Sequence, residues 1–164
     1  MKLAEAAAEF LAHKRIAVAG VSGTKPDAAN YVYQRLREAG YKVYAVNPNA
    51  DEVEGDHCHH SLAAIGETVD GVVIATHPKV AIDVARECAE LGIPRVWLHR
   101  SFGAGSYSAE AVAFCEAHGI AVIDGACPRM FLDPVDVPHR CIRFIFGALG
   151  KLPDGSRYEV AAQR

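Results

Sequence analysis

Short apolar segments alternate with helical patterns along almost the whole chain, and this alternation constrains the fold most. The strand-like segments cover residues 16–19, 41–46, 57–60, 69–75, 95–99 and 120–123. The helical patterns cover residues 3–13, 28–39, 78–90, 107–118 and 136–149, with a brief one from Ser61. Strands that alternate with helices form βαβ units with parallel pairing. We therefore predict a three-layer, Rossmann-like α/β fold with a mainly parallel five- or six-stranded sheet and helices on both faces.

The length of 164 residues is enough for one hydrophobic core and too short for two ordinary domains, so we predict a single domain over residues 1–164. No apolar stretch approaches the roughly 18 residues that would span a bilayer. Glu5 and Glu9 interrupt the N-terminal segment where a secretion signal needs an apolar run. These features predict a cytoplasmic protein with no membrane partner.

The charge pattern excludes nucleic acid as the main partner. The net charge is -3, and the 17 lysines and arginines are scattered along the chain rather than clustered. The five cysteines have irregular spacing without a CxxC pair, which favours free thiols in a reducing compartment. The sequence identifies no protein partner.

Four polar or small-residue segments follow predicted strands directly. They are residues 20–26, 47–49, 76–78 and 100–105. In an open parallel sheet, ligands bind beyond the carboxyl ends of the strands, where the strand order reverses. These four segments are therefore the candidate binding loops.

The first of these loops, GVSGTKP at residues 20–26, has the composition of a phosphate-binding turn. Its glycines allow a close approach of the backbone to an anion, and the following helix offers its N-terminal N–H groups and dipole. Ser22 adds a hydroxyl group, and Lys25 adds a point charge suited to phosphate. A plain glycine turn with a solvated lysine is the alternative.

The loop departs from the dinucleotide fingerprint. Ser22 replaces the second glycine of GxGxxG, and the second strand ends in Asn47-Pro48 without the acidic residue that binds a ribose. No GxxxxGK[ST] string is present, which disfavours ATP. An NADP-dependent oxidoreductase with a variant Rossmann site stays open as an alternative, although residues 47–49 offer no cation for its 2′-phosphate.

Several segments together resemble the small bacterial CoA-binding proteins, whose Rossmann domain is similar to that of the succinyl-CoA synthetase α subunit. The segments are IAVAGVSGTKPDAANYVYQRLREAGYKVYAVNPNADEVEG from residue 16, ATHP at 75–78, VWLH at 96–99 and GIAVIDGACPRMFLDPVDVPHR at 119–140. The resemblance covers about residues 10–153. It implies coenzyme A or an acyl-CoA as the ligand and brings no reaction with it, so we predict a non-catalytic carrier, sensor or partner module.

The resemblance places the ligand on the loops after four strands. The implied positions are Gly20, Val21, Ser22, Gly23, Lys25, Asn47, Pro48, Thr76, His77, Pro78 and Arg100. Residues 21–23 would cradle the CoA phosphates, with Lys25 as a nearby cation. Residues 47–48 would border the adenosine and residues 76–78 would line the nucleotide crevice. The pantetheine arm would pass Arg100.

Other residue clusters have a structural and a functional interpretation. A metal could bind to the run His57, Cys58, His59 and His60. Side chains alternate between the two faces of a strand, so at most two of these residues could be ligands on one face. This geometry favours a histidine-rich edge strand without metal. An acid pair could come from the three residues Asp124, Asp133 and Asp136. The alternative is structural, because Asp133-Pro134 is a turn signal and Asp136 could cap the last helix. Trp97 is expected in the core.

The cysteines near the end of the chain could be chemically active. Cys127 follows the last strand and could pair with His139 as a nucleophile, or form a mixed disulfide with the thiol of CoA. The alternative is an inert, buried Cys127 that shapes the turn before Pro128. Cys141 is expected on the apolar, core-facing side of the last helix, together with Phe144, Ile145 and Leu149.

Overall fold

The computed structural model describes residues 1–160, so the last four residues of the predicted domain lie outside the described part. Its strands are β1 (Arg15–Ala19), β2 (Lys42–Val46), β3 (Glu52–Val53), β4 (Asp56–His59), β5 (Gly71–Ile74), β6 (Arg95–Leu98) and β7 (Ala121–Ile123). They form one sheet in the order β3-β4-β2-β1-β5-β6-β7, and every pair except β3–β4 is parallel. The predicted Rossmann-like α/β fold is confirmed. The prediction of five or six strands missed β3, whose two residues are too few to show a pattern.

Five helices cover the two faces of this sheet. They are α1 (Leu3–Ala12), α2 (Ala28–Glu38), α3 (Pro78–Glu90), α4 (Ala109–Ala117) and α5 (Val137–Ala148), with 3-10 turns at Ala63–Ile65 and Pro128–Met130. The buried side chains of α1 and α2 share one core with the second turn, and those of α3 and α4 share the other. Within the described chain, no helix has the length and apolar character needed to cross a bilayer.

The strands between these layers are buried on both faces, as the absence of polar alternation predicted. Val18 belongs to the core under α1 and α2, whereas its neighbour Ala19 belongs to the core under α3 and α4. Trp97 is fully buried, its Nε1 donates to the Gly125 carbonyl at 2.8 Å, and its ring lies 5.4 Å from that of Phe10. The predicted core position of Trp97 is confirmed.

A partly buried ion pair joins α1 to β6 and to the segment after α5. The Glu9 carboxylate accepts hydrogen bonds from Arg95 at 2.9 Å, from the Tyr158 hydroxyl and from His13. Burial raises the pKa of Glu9, but these hydrogen bonds outweigh it and lower the pKa to about 2. The pair therefore couples three distant segments through one carboxylate.

Helix α5 packs against the core with a different side from the one predicted. Ile142 and Phe146 pack against the core, whereas Phe144 is 78% exposed and Cys141 is also exposed. Ile145 and Leu149 are exposed as well. The apolar residues form one broad stripe along this helix, and the structure packs only its margin, at Ile142 and Phe146, against the core. The prediction of a core-facing Cys141, Phe144, Ile145 and Leu149 is wrong.

The histidine-rich segment also lies differently from the prediction. Strand β4 is paired on both sides, and the edge strand is β3. His57 and His59 share one face, as alternation requires, with ring centroids 4.7 Å apart, whereas Cys58 is buried and His60 pairs with Asp51 at 2.8 Å. Over residues 1–160, no three histidine, cysteine or acidic side chains are arranged to hold a metal ion.

Candidate functional site

The strand order reverses between β1 and β5, and the loops that follow these two strands border a crevice at the carboxyl edge of the sheet. Gly20 forms the floor at this point with a φ of 102°. A Cβ atom on Gly20 would lie 2.6 Å from the Ala75 carbonyl oxygen, which is closer than any real side chain approaches. The sharp turn after β1 therefore requires glycine at this position.

The first loop is folded around the Ser22 hydroxyl. Its Oγ accepts hydrogen bonds from the backbone N–H groups of Thr24 and Lys25, at 3.3 and 3.1 Å. Within residues 1–160, the N–H groups of Val21 and Gly23 make no hydrogen bond, and the exposed Lys25 ammonium has no carboxylate partner. The loop thus combines two free N–H donors with an unpaired cation, the groups that bind a phosphate.

The N-terminus of α2 contributes less to this loop than predicted. Asp27 caps the helix, and its carboxylate accepts from the N–H groups of Ala29 and Asn30, at 2.9 and 3.4 Å. The expectation that these helical N–H groups are free for an anion is wrong, because the capping carboxylate already occupies them. Anion binding depends on the loop backbone before Asp27 instead.

Asn30 holds the first loop from beneath. It is 1% exposed, its Oδ1 accepts from the Ser22 N–H at 2.9 Å, and its Nδ2 donates to the Ser22 carbonyl at 2.9 Å. The same Nδ2 donates to the Glu54 carboxylate at 2.7 Å, and Gln34 donates to that carboxylate as well. Sequence reasoning missed Asn30, although an asparagine on the buried side of a helix that follows a glycine loop was a visible signal.

The loop after β2 is tied to the first loop. The Asn47 Nδ2 donates to the Val21 carbonyl at 2.8 Å, and its Oδ1 accepts from the Asn49 N–H at 2.9 Å. The neighbouring Pro48 is exposed. Asn47 therefore positions Val21 beside the crevice, while Pro48 offers an apolar surface next to it.

The loop after β5 forms the opposite side of the crevice. The His77 Nδ1 accepts from the Lys79 N–H at 3.2 Å and so caps α3, with Pro78 in the first turn of the helix. The Thr76 hydroxyl donates to the His77 carbonyl at 3.2 Å. Residues 76–78 thus face the first loop across the switch point, at the edge where the sequence predicts them.

Arg100 follows β6 and lies two strands away from β1, about 10 Å at the usual strand spacing. Its side chain is exposed, its Nε donates to the Gly103 carbonyl at 2.8 Å, and its guanidinium lies 5.7 Å from the centre of the Tyr107 ring. The structure therefore places the other predicted residues on the loops after β1, β2 and β5, which are neighbouring strands, and places Arg100 farther along the same edge.

His99 directly follows β6, and the sequence analysis gave it no role in the site. It is 5% exposed, and no group of residues 1–160 forms a hydrogen bond with its imidazole. Burial lowers the pKa of His99 to about 4, with Asp27 opposing this effect and His139 adding to it. The imidazole of His99 is therefore neutral at neutral pH and can both donate and accept a hydrogen bond. Within residues 1–160 it has no hydrogen-bond partner.

The burial of the cysteine after β7 favours the structural interpretation over the reactive one. Cys127 is 3% exposed, and burial raises the pKa of its thiol to about 11, although Arg129 opposes the effect. Nucleophilic attack and disulfide exchange both require a thiolate. His139 instead bonds Asp136 at 2.6 Å, and Asp136 caps α5, as one interpretation of the sequence proposed.

A reversed strand order, a glycine turn at the switch point and three converging loops define a Rossmann-like binding domain. Residues 14–133 match the family model described as the CoA binding domain, and the chain belongs to that family. The resemblance in the sequence is thereby confirmed.

Relatives of similar size share this domain. The uncharacterized protein YneT of Bacillus subtilis is 31% identical over 117 residues, which are 71% of this chain and 84% of YneT. The structure of a hypothetical protein from Pyrococcus horikoshii OT3 superimposes with a TM-score of 0.70 at 29% identity, covering 76% of this chain and 86% of that one.

A longer relative contains a similar segment. The ADP-forming acetate–CoA ligase II of Archaeoglobus fulgidus is 37% identical over 82 residues, which are 49% of this chain. The matched segment is only 12% of that ligase. The similarity therefore concerns one part of the ligase.

Proposed function

We propose that this chain is a single domain that binds coenzyme A or an acyl-CoA at the carboxyl edge of its sheet, without catalysing a reaction. The observation that carries the proposal is the first loop, where the free N–H groups of Val21 and Gly23 and the unpaired Lys25 meet at the switch point. Membership of the CoA binding domain family supports the same ligand.

In this proposal the ligand crosses the crevice from β2 towards β6. The phosphates contact residues 21–23 and Lys25, the adenosine borders residues 47–48, and residues 76–78 line the crevice opposite. The pantetheine arm then passes His99 and Arg100. A pantetheine arm contains two amide groups, and the unpartnered neutral imidazole of His99 can donate to one carbonyl or accept from one N–H.

A role without catalysis is supported by the state of Cys127, the thiol that the sequence offers as a candidate nucleophile. Cys127 is buried with a pKa raised to about 11, so it supplies no thiolate at neutral pH. All five cysteines are free thiols, which fits the reducing cytosol. The chain would then act as a carrier, a sensor or a module for a partner protein, and the similarity to part of an acetate–CoA ligase favours the last of these.

Isothermal titration tests the ligand with CoA and NADP side by side. We expect CoA to bind and NADP not to bind, because the chain belongs to the CoA binding domain family and its first loop departs from the dinucleotide fingerprint at Ser22. The Ser22→Asp variant should bind CoA at least tenfold more weakly, about 1.4 kcal/mol, because a carboxylate would lie beside the phosphates. Ser156→Asp is the matched control, since Ser156 is exposed and contacts none of the site loops. Binding of NADP as tight as that of CoA would overturn the proposal.

A further inference from the structure

A groove of about 610 Å³ opens at the carboxyl edge of the sheet beside the end of β6, outside the crevice between the loops of β1 and β5. The groove is lined by residues 100–103, Ala126, Phe146 and residues 150–152. None of the nucleotide-binding positions proposed above lines this groove except Arg100. The groove is therefore separate from the first loop and shares only Arg100 with the proposed path of the pantetheine arm.

Two aromatic rings give this groove an apolar wall. The rings of Phe102 and Phe146 meet edge to face with centroids 5.5 Å apart, and Phe102 is 70% exposed. Leu152 also lines the wall. An apolar chain that lies against these rings would remove them from water, which is favourable in proportion to the area covered. The groove thus fits the methylene groups of a short acyl chain.

Two cations flank the same apolar wall. The Arg100 guanidinium and the Lys151 ammonium both belong to the groove lining, which contains no acidic residue. No carboxylate of residues 1–160 forms an ion pair with either cation. Each cation instead lies near an aromatic ring, Lys151 at 5.9 Å from the centre of Phe146. An anion that enters the groove therefore meets two cations without a competing carboxylate.

We propose that this groove receives the acyl group of a bound acyl-CoA and selects short acyl chains that end in a carboxylate. The proposal rests on the proposed function, because CoA must bind in the crevice for its acyl group to reach the groove. The methylene groups of the chain lie against Phe102 and Phe146. The terminal carboxylate is held between Arg100 and Lys151.

The test compares two five-carbon ligands that differ only at the far end of the chain. Titration calorimetry at low salt measures the affinities of CoA, pentanoyl-CoA and glutaryl-CoA for the full chain. We expect glutaryl-CoA to bind about fivefold more tightly than pentanoyl-CoA, as two exposed ion pairs would contribute. The ratio should shrink in 0.5 M salt, because salt screens exposed charges.

Lys151→Met should bring the two affinities within about twofold of each other, as the loss of one of the two ion pairs predicts. Lys14→Met is the matched control and should keep the wild-type ratio, since Lys14 precedes β1 at the opposite edge of the sheet. Phe102→Ala removes a largely exposed ring and should weaken both acyl-CoAs relative to CoA. Thermal unfolding checks that each variant is folded.

Equal affinities in the wild-type protein, or a ratio that survives in Lys151→Met, would overturn the acyl specificity while leaving the proposed function intact. Tighter binding of pentanoyl-CoA would identify a plain apolar acyl site instead and would also overturn the selection of a carboxylate. Absence of binding by CoA and by both acyl-CoAs would refute the proposed function itself, so the two failures are distinguishable.

Discussion

Replacement of Asn30 by alanine tests whether one buried amide positions the proposed phosphate loop. The variant loses the two hydrogen bonds to the Ser22 backbone, both 2.9 Å, the bond to Glu54, and a longer bond from the Asp27 N–H at 3.4 Å. The three shorter bonds contribute about 1 kcal/mol net each, so the loss is about 3 kcal/mol. The higher helix propensity of alanine returns about 0.5 kcal/mol. We therefore expect the free energy of unfolding to fall by about 2–3 kcal/mol.

The same substitution should weaken CoA binding at least tenfold, or about 1.4 kcal/mol, because a loop without its support must be ordered by the ligand. Urea unfolding measures the stability, and calorimetry measures the affinity. Gln34→Ala is the matched control, since Gln34 also donates to Glu54 but does not contact the first loop. It should cost about 1 kcal/mol or less and leave the affinity for CoA unchanged. If Asn30→Ala bound CoA like the wild type, the role of Asn30 as the support of the loop would be refuted.

Three further outcomes are expected. Gly20→Ala should destabilise the protein by more than about 3 kcal/mol in urea unfolding, because the new Cβ meets backbone at 2.6 Å with φ at 102°. Gly92→Ala, with positive φ but open space, should cost only about 1 kcal/mol, and equal costs would contradict the close approach. The pKa of Glu9 is about 2 in the folded protein and 4.5 ordinarily, so its stabilisation is complete above pH 4.5 and is lost as the pH falls towards 2. The difference in unfolding free energy between wild type and Glu9→Gln should shrink accordingly, and a difference constant from pH 6 to pH 3 would contradict this. Iodoacetamide at pH 7.5 should modify Cys141 in the native protein and spare Cys127, as peptide mapping can verify.

Much of the fold could be predicted because its strands and helices differ in period and length. The central strands are apolar without alternation, and glycines such as Gly40 and Gly92 mark the ends of helices. Two features were not predicted correctly. Strand β3 has two residues, too few for a periodicity, and the broad apolar stripe of α5 contacts the core only at its margin. Both are decided by tertiary contacts.

The site could be predicted only in part from the sequence. A motif identifies the residues of a loop but does not show which groups hydrogen-bond to their polar atoms. The segments at 20–26 and 76–78 do face each other at the switch point. Asp27 occupies N–H groups of α2 because of the geometry of the helix cap, which the sequence does not show. His99 has no hydrogen-bond partner within residues 1–160 because of how the surrounding elements pack. A histidine after an apolar strand has no distinctive spacing. Its environment becomes visible only when distant elements are brought together.

Helix α5 is held to the rest of the protein by few contacts, since none of its twelve residues is buried. Stability varies across a protein, and segments with little buried apolar surface open locally at a fraction of the global cost. The amide protons of α5 should therefore exchange with solvent well before those of β1 and β5, which are buried on both faces. Because α5 supplies Phe146 to the groove beside β6, one wall of that groove can unfold and refold while the sheet and its loops stay intact.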